Sequence, residues 1–153
     1  MKNKTCCFTG HRKLTQSQVD LAKSQLFEVI GNLIEQGYTH FVSGFANGAD
    51  LLCAEVVAKF KESNHDISLE AAIPNRDRLN CKSILFKKLI ADCNYISIMQ
   101  DGYNIGCFEK RNRYMIDKSD VIIAIWGNNK SGSTYNAVTY ARLKGKKMIV
   151  INV

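Results

Sequence analysis

Four glycine-bearing segments of this chain carry polar side chains whose types suit the binding of an anion. They are Gly10-His11-Arg12, Gly44 to Asp50 (GFANGAD), Gln100 to Gly106, and Gly127 to Thr134. Glycine lets the backbone approach a ligand closely, and arginine can pair with phosphate through two parallel hydrogen bonds. A helix start adds free backbone N–H groups and the positive end of the helix dipole. These residue types therefore predict recognition of a phosphate.

The first segment offers three candidate contacts. Gly10 permits close backbone approach, Arg12 can hold a phosphate, and His11 can donate a hydrogen bond or act as an acid or base. The same residues also fit a simple turn with two exposed polar side chains. Both interpretations are open at this point.

The segment from Gly44 to Asp50 places two glycines four residues apart before a helix. It matches neither G-x-G-x-x-G nor a P-loop, because no Lys-Ser/Thr pair follows. Asp50 in the first helical turn suits the helix dipole, or its carboxylate accepts a hydrogen bond from a ribose hydroxyl or a neighbouring loop. The candidate ligand-binding residues here are Gly44, Asn47, Gly48 and Asp50.

The run from Lys110 to Arg113 is a dense basic cluster, and such a run most often forms a solvated helix face. The residues that follow, Tyr-Met-Ile at 114–116, indicate that this helix is also anchored to the core. An anchored helix can turn one arginine inward. We predict that Arg111 and Asn112 face the site and that Arg113 faces water.

The segment Ser131-Gly132-Ser133-Thr134 lies between the most apolar strand and a helix. Small residues let the backbone wrap an anion, and the Ser133 and Thr134 hydroxyls can donate to phosphate oxygens or cap the helix. The two roles are compatible. Gly132, Ser133 and Thr134 therefore join the candidate ligand-binding residues.

These segments separate strands and helices that alternate along the chain. The predicted strands are Lys4–Thr9, Thr39–Ser43, Ile67–Ile73, Asn94–Met99, Asp120–Trp126 and Lys147–Val153. The first predicted helix runs from a capping box at Thr15–Gln18 to Gly37. Three more are predicted over Ala49–Glu62, Leu79–Asp92 and Phe108–Lys118, and a fifth runs through Ala137, Val138, Ala141 and Leu143. Alternation predicts an α/β, Rossmann-like three-layer sandwich with a mostly parallel sheet, formed by residues 1–153 as one domain. Such folds bind ligands outside the carboxyl ends of their strands, where the four segments lie.

Composition narrows the class of protein. The net charge of +7 over 153 residues favours an anionic partner, such as a nucleotide, a nucleic acid or an acidic lipid headgroup. The six cysteines form no C-x-x-C pair and the three histidines show no metal-ligand spacing, so no metal site is predicted. No signal-peptide pattern or membrane-length apolar stretch is visible. We expect a soluble cytoplasmic protein with reduced thiols and no membrane association.

Taken together, the motifs resemble the YpsA-like branch of the SLOG superfamily, which also contains the DNA-processing protein DprA and the LOG "lonely guy" enzymes. The matching stretches are Phe8-Thr-Gly-His-Arg12, Ser43-Gly-Phe-Ala-Asn-Gly-Ala-Asp50, Ala72-Ile-Pro74, Arg111-Asn-Arg-Tyr-Met115, and Lys130-Ser-Gly-Ser-Thr134 with Tyr140-Ala141. The resemblance implies a Rossmann-like fold that binds a nucleotide or nucleotide-derived ligand, with no required cofactor and no defined reaction. It leaves a homo-oligomer open, since members of the wider superfamily often self-associate.

The LOG enzymes release a base from a nucleoside monophosphate, and their pattern bears on a glycosidase activity. Arg111 and Met115 fit the R-x-x-x-M segment of that family. In its Gly-Gly-x-Gly-Thr-x-x-Glu loop, Ser133 stands where the last glycine would be and Ala137 stands where the Glu would be. A methyl group cannot stabilise charge on the ribose as the glycosidic bond breaks. The candidates left for a catalytic role are Arg111, Glu109 and Asp50.

Three functions follow, in decreasing order of support. The first is a sensing or regulatory protein that binds a phosphate-bearing nucleotide, such as an NAD- or ADP-ribose-type molecule. The second is a nucleoside 5′-monophosphate N-glycosidase, which Ala137 weakens. The third is DprA-like binding of single-stranded nucleic acid. The net charge and Lys144–Lys147 support this third function, but the interleaved aromatic and basic residues of a stacking surface are missing.

Overall fold

The computed structural model describes residues 4–153, and within them six strands alternate with five α-helices. The strands are β1 (Lys4–Gly10), β2 (Tyr38–Ser43), β3 (Ser68–Ile73), β4 (Tyr95–Ile98), β5 (Val121–Trp126) and β6 (Lys147–Asn152). The helices are α1 (Gln16–Glu35), α2 (Ala49–Ser63), α3 (Ile84–Ala91), α4 (Cys107–Lys118) and α5 (Ser133–Leu143). None of these helices, in the part of the chain that is described, combines the length and apolar character that crossing a bilayer requires.

The strands form one sheet in the order β4-β3-β2-β1-β5-β6, and every neighbouring pair is parallel. The predicted Rossmann-like α/β architecture is confirmed, with a sheet that is parallel throughout. The chain builds outward from β1 to β4 and then crosses to β5 and β6 on the other side. The strand order therefore reverses between β1 and β5, which leaves a crevice at their carboxyl ends.

The helices cover both faces of the sheet. Along β1, Cys6 and Phe8 pack in the core beneath α1, α2 and α3, whereas Cys7 packs against α4 and α5 on the opposite face. All six residues of β5 are buried. A parallel strand covered on both faces loses the apolar–polar alternation of a half-exposed strand, which explains the unbroken apolar run of β5 in the sequence.

Local capping fixes where the helices begin. The predicted capping box of α1 is present: Thr15 Oγ1 accepts from the N–H of Gln18 at 3.2 Å, and Gln18 Oε1 accepts from the N–H of Thr15 at 2.9 Å. The predicted helix over Leu79–Asp92 is wrong at its start. Residues Arg76–Asn80 form a short 3₁₀ helix, and α3 begins only after Ser83, whose Oγ accepts from the N–H of Phe86 at 3.2 Å. A serine cap competes with a longer helix by supplying the first turn with its acceptor.

Candidate functional site

A polar cavity of about 210 Å³ lies at the carboxyl ends of β1 and β5. Its lining residues are Phe8, Thr9, Gly10, His11, Arg12, Ala46, Asp50, Arg111, Asn112, Ser133 and Thr134. Three of the four glycine-bearing segments and the middle of α4 thus meet at the reversal of strand order. This is the position where doubly wound sheets accommodate ligands.

Two glycines allow the first two of these segments to touch. A Cβ atom on Gly10 would lie 2.5 Å from the Cβ of Ala49, and a Cβ atom on Gly48 would lie 2.4 Å from the carbonyl oxygen of Arg12. Gly48 also has a φ of 79°, a conformation that costs a glycine little. The N–H of Ala49 donates to the carbonyl of His11 at 3.0 Å. The start of α2 is therefore fixed against the loop that follows β1.

His11 joins the loop after β1 to the loop after β5. Its Nε2 accepts from the N–H of Gly127 at 3.0 Å, and its backbone N–H donates to the carbonyl of Ile125 at 3.3 Å. A ring nitrogen that accepts from a backbone N–H carries no proton, so this hydrogen bond assigns the ring proton to Nδ1. The ring thus lines the cavity and holds its two walls together.

Arg111 is a buried cation that lines the cavity, with 3% of its surface exposed. Its Nη1 donates to the carbonyl oxygen of Gly44 at 2.6 Å, and its Nε donates to Oδ1 of Asn112 at 2.9 Å. A Cβ atom on Gly44 would lie 2.7 Å from that Nη1, so the close approach requires glycine. Burial lowers the pKa of Arg111 and the nearby Asp50 opposes this shift. A guanidinium nevertheless stays charged in proteins, so the cavity has a fixed positive charge.

Asp50 is a carboxyl group among the cavity residues and is 7% exposed. Its Oδ2 accepts from the N–H of Ala46 at 3.2 Å. Burial raises the pKa of Asp50, and the opposing effects of Arg111, of the Ala46 N–H and of two further arginines are smaller. The two further arginines are Arg12 and Arg78. Positive charge therefore outweighs negative charge around the cavity, which suits an anion.

The orientation predicted for the basic helix is observed. Arg111 is buried and Asn112 lines the cavity, whereas the side chain of Arg113 is 56% exposed. Glu109 lies outside the cavity, and its Oε1 accepts from Nη2 of Arg113 at 2.7 Å. Two residues span about 200° of an α-helix, so Glu109 and Arg113 both lie on the side away from Arg111. Glu109 therefore points away from Arg111 and lines the surface between α4 and α5 instead.

The start of α5 differs from its expected form. Gly132, with a φ of 93°, is the N-cap, and no side chain caps the helix. The predicted capping by Ser133 and Thr134 is therefore wrong, because both residues already lie in the first helical turn. Both line the cavity, where Ser133 Oγ accepts from Nδ2 of Asn112 at 3.4 Å. The first N–H groups of α5 consequently have no side-chain cap beside this cavity.

Four of the predicted ligand-binding residues do not line the polar cavity itself: Gly44, Asn47, Gly48 and Gly132. Gly44 and Asn47 line an adjoining cavity of about 180 Å³. Gly132 lines a larger groove of about 550 Å³ between α4 and α5, which shares Asn112 and Ser133 with the polar cavity. Gly48 acts through the backbone contact already described.

Arg78 belongs to the adjoining cavity and was missed in the sequence. Its Nε and Nη2 donate to the carbonyl of Phe45 at 3.1 and 2.7 Å, and Nη2 also donates to Oδ1 of Asn47 at 3.2 Å. These bonds fasten the loop after β2 to the 3₁₀ helix after β3. Its position five residues beyond Ile73, where β3 ends, is a signal that could have found it.

Phe108 was also missed as a site residue. Its ring centroid lies 5.0 Å from Cζ of Arg12 and 5.9 Å from Cζ of Arg111. Both guanidinium groups are thus held over an aromatic face, which favours a cation. In the sequence Phe108 is an ordinary apolar residue at a helix start, and nothing there separates it from a core residue.

Within residues 4–153, no group of three or more His, Cys, Asp or Glu side chains could hold a metal ion. The six cysteines are free thiols. Burial raises the pKa of Cys7 to about 12, and it also raises the pKa of Cys6 and Cys53. These buried thiols are therefore protonated and poor nucleophiles at neutral pH.

Comparison with known proteins gives a family, a relative in sequence and solved structures of similar fold. The model of the YspA SLOG family (YpsA) matches residues 6–152. The uncharacterized SPbeta prophage-derived protein YoqJ of Bacillus subtilis (strain 168) is 28% identical over an alignment of 137 positions. The match covers 78% of this chain and 80% of that protein.

Two solved structures show the same fold. DNA processing protein A from Helicobacter pylori, whose structure was described for its single-stranded DNA binding mode, has a TM-score of 0.69 at 22% identity. The match covers 96% of this chain, which spans only 64% of that protein. The structural-genomics target TM1055 has a TM-score of 0.62 at 16% identity, with 95% and 72% of the two chains covered. At these identities the likeness concerns the fold alone.

Proposed function

Because the chain belongs to the YpsA family of SLOG proteins, we propose that it binds a nucleotide or nucleotide-derived phosphate ligand in the polar cavity, in a sensing or regulatory role. An NAD- or ADP-ribose-type molecule has the required chemistry. The observation that carries the proposal is the buried guanidinium of Arg111 at a cavity that also contains the uncapped start of α5.

The charges and donors around the cavity support an anionic ligand. Arg12 and Arg111 line it, and the hydroxyls of Ser133 and Thr134 can donate to phosphate oxygens. The N–H groups in the first turn of α5 add the positive end of the helix dipole. Asp50 is the opposing charge, and burial raises its pKa.

The volumes of the polar cavity and of the groove between α4 and α5 support placing different parts of the ligand in each. Ligand pockets for drug-sized molecules measure about 300–1,000 Å³, so the 210 Å³ cavity suits a phosphate and part of a ribose. The groove of about 550 Å³ continues from it and is lined by Phe108, Tyr135 and Tyr140. Aromatic rings are suited to stacking on a base. We assign the phosphate to the cavity and the base to the groove.

A thermal-shift assay tests the phosphate requirement. The purified protein is heated with AMP, ADP-ribose or NAD, and in parallel with adenosine, which has the base and ribose but no phosphate. A ligand at 100 times its Kd stabilises the folded state by about 2.7 kcal/mol, or about 5–10 °C in Tm for a chain of this size. We expect such a shift with at least one phosphate-bearing compound and none with adenosine. Equal shifts with AMP and adenosine would contradict the proposal.

Two exposed arginines provide a matched pair of variants. Arg12 and Arg142 each lie over an aromatic ring, at 5.0 Å from Phe108 and 5.8 Å from Trp126, but of the two only Arg12 lines the cavity. Arg12→Ala should lose most of the ligand-induced shift, whereas Arg142→Ala should keep it. The Tm values without ligand show whether either change disturbs the fold.

The glycosidase alternative depends on Asp50, the one predicted catalytic carboxylate that lines the polar cavity. Ala137, at the position of the LOG glutamate, is buried in the core cluster that contains Cys7 and Ile122. Incubation with AMP and chromatography for free adenine tests this activity. We expect no adenine. If adenine is released from AMP, and if Asp50→Asn abolishes that release, the protein is a glycosidase instead.

Nucleic-acid binding is the remaining candidate, supported by the net charge of +7 and by the fold shared with the single-stranded DNA-binding protein of Helicobacter pylori. Fluorescence anisotropy with a labelled oligothymidylate measures it. Tight binding that AMP does not displace would favour this candidate over the nucleotide proposal.

A further inference from the structure

A second polar cluster lies on the α4 side of the sheet, towards the amino ends of β2 and β3. The strand register places His40 directly opposite Ser68, and Glu70 follows Ser68 on the same face of β3, since residues two apart point the same way. The sequence patterns did not indicate this cluster. It lies at the opposite end of the strands from the nucleotide site and is independent of it.

Three side chains of the cluster form a hydrogen-bonded series. Ser68 Oγ lies 2.6 Å from Nδ1 of His40, and Nε2 of His40 lies 2.7 Å from Oε1 of Glu70. A hydroxyl bonded to an imidazole that a carboxylate orients is the arrangement of an activated serine nucleophile. In the chymotrypsin template serine pairs with Nε2 and the carboxylate with Nδ1, so here the two ring nitrogens exchange roles.

Glu70 determines which ring nitrogen of His40 faces a carboxylate acceptor. Burial alone would raise the pKa of Glu70, but the hydrogen bonds that it accepts and the charge of Lys118 outweigh burial and lower the pKa to about 2. The carboxylate is therefore ionised at neutral pH and can only accept. His40 therefore donates to it through Nε2, and in the neutral imidazole Nδ1 is then the acceptor for the Ser68 hydroxyl. The Ser68 hydroxyl also lies 3.4 Å from the carbonyl oxygen of Thr39, a longer contact than the 2.6 Å to Nδ1.

The buried carboxylate of Glu70 has its hydrogen-bond donors without any contribution from Ser68. Ser97 Oγ and Tyr114 Oη donate to Oε2 at 2.8 and 2.5 Å, and Nζ of Lys118 lies 3.2 Å from Oε1. These three donors and His40 already satisfy the carboxylate. The contact between Ser68 and His40 is additional to this network. The need to pair the buried carboxylate with donors therefore does not explain that contact.

The series faces a space that a small substrate could enter. A cavity of about 400 Å³ is lined by Ser68, His40 and Glu70 together with Thr39, Tyr95 and Lys118. Tyr95, which is 59% exposed, offers an apolar wall, and its ring lies edge-on to His40 at 5.7 Å. The ammonium group of Lys118 and the hydroxyl of Thr39 are donors that can stabilise a developing oxyanion.

We propose that Ser68 is a nucleophile at a second site that cleaves small carboxylic esters. As Ser68 Oγ bonds to the acyl carbon, its proton moves to Nδ1 of His40. The bond from that carbon to the alkoxy oxygen then breaks, and the same proton passes to the leaving alcohol. Water then bonds to the acyl carbon of the acylated Ser68 and gives a proton to Nδ1 of His40. The bond from that carbon to Ser68 Oγ breaks, the proton passes from Nδ1 to Oγ, and the carboxylic acid leaves.

A fluorophosphonate probe tests this assignment directly, because it phosphonylates activated serines with loss of fluoride. Intact mass and peptide mapping should place one adduct on Ser68 of the wild-type protein. Ser63, an exposed serine at the end of α2, gives the control: Ser63→Ala should react like wild type, whereas Ser68→Ala should not react. His40→Gln should react about 100-fold more slowly, the usual scale of general-base catalysis. Hydrolysis of p-nitrophenyl acetate should follow the same order.

The proposal is overturned if wild-type protein takes up no probe, or if the adduct maps to a residue other than Ser68. Reaction of His40→Gln at the wild-type rate would overturn the role of His40. Mapping the adduct on the wild-type chain needs no variant, so the test holds even if Ser68→Ala folds poorly. Thermal melts of each variant separate lost reactivity from lost structure.

Discussion

The side chain of Arg111 stabilises the fold and lines the proposed ligand site, so its removal should have two effects. Its guanidinium holds the loop after β2 through the carbonyl of Gly44 and is the strongest charge opposing the raised pKa of Asp50. Arg111→Ala leaves that carboxyl buried without this charge. We expect a loss of about 3 kcal/mol in unfolding free energy, measured by urea titration.

Arg113→Ala is the matched control for that change. Arg113 is exposed, and its ion pair with Glu109 joins two side chains that are each more than half exposed. Such pairs contribute about 0–1 kcal/mol. If Arg111→Ala and Arg113→Ala cost the same, the buried role given to Arg111 is incorrect.

Glu70 gives a prediction about pH. Its folded-state pKa of about 2 lies below the ordinary value of 4.5. The stabilisation from its hydrogen bonds is therefore complete above pH 4.5 and is lost as the pH falls towards 2. The difference corresponds to about 3 kcal/mol. Urea unfolding at a series of pH values from 6 to 3 should show a steeper loss for wild type than for Glu70→Gln. Equal pH dependence in the two proteins would mean that Glu70 is not held ionised.

At the residue scale, the sequence indicates side chains that follow strands and misses contacts that depend on register. Arg12 could be found because it lies two residues beyond β1, and Asp50 because it lies in the first turn of the helix that follows β2. Helical geometry explains why Glu109 is not beside Arg111, since two positions turn through about 200°. The pairing of His40 with Ser68 could not be foreseen, because it depends on how β2 and β3 align.

At the scale of elements, the position of α2 depends on the absence of a side chain at Gly48. A methyl group there would lie 2.4 Å from the carbonyl oxygen of Arg12, at a φ of 79°. Gly145 has a similar φ of 68° but would meet nothing within 4 Å. Gly145→Ala should therefore cost only the backbone strain of about 1 kcal/mol, and Gly48→Ala should cost clearly more.

Thermal or urea unfolding of the two glycine variants measures this difference. Gly48→Ala should also weaken ligand binding, because the start of α2 would be pushed away from the loop after β1. Equal losses in both variants would show that the conformation alone, and not the contact between the loops, requires glycine at position 48.

Element boundaries show which local signals are strong. The apolar run of β5 and the capping box of α1 predicted their elements well, since each depends on neighbouring residues only. The start of α3 was wrong because Ser83 caps a shorter helix, whereas Leu79 belongs to the preceding 3₁₀ helix.

At the scale of the whole molecule, alternation of strands and helices predicted a parallel sheet covered on both faces, but it could not fix the strand order. The reversal between β1 and β5 depends on which side of the sheet the chain crosses to after α4. That crossing brings the loops after β1 and β5 together. The polar cavity therefore results from topology as much as from any single motif.

The net charge of +7 gives a prediction about salt. A ligand with one or two phosphates releases few counterions, so its affinity should fall only a few-fold between 50 and 200 mM salt. A protein that makes 6–10 phosphate contacts with DNA loses about 10³–10⁵ in affinity over that range. We expect the AMP-type thermal shift to persist at 200 mM salt and oligothymidylate binding to be absent there. An oligothymidylate complex that persists at 200 mM salt would contradict this expectation.

Isothermal titration of the wild-type protein with AMP and, separately, with adenosine tests the central claim most directly. If the cavity recognises phosphate, AMP should bind at one site and adenosine should bind at least about tenfold more weakly, a difference of about 1.4 kcal/mol. Arg12→Ala should weaken AMP binding and Arg142→Ala should not. Adenosine that binds as tightly as AMP, or AMP binding that Arg12→Ala leaves unchanged, would contradict the assignment of this cavity to a phosphate.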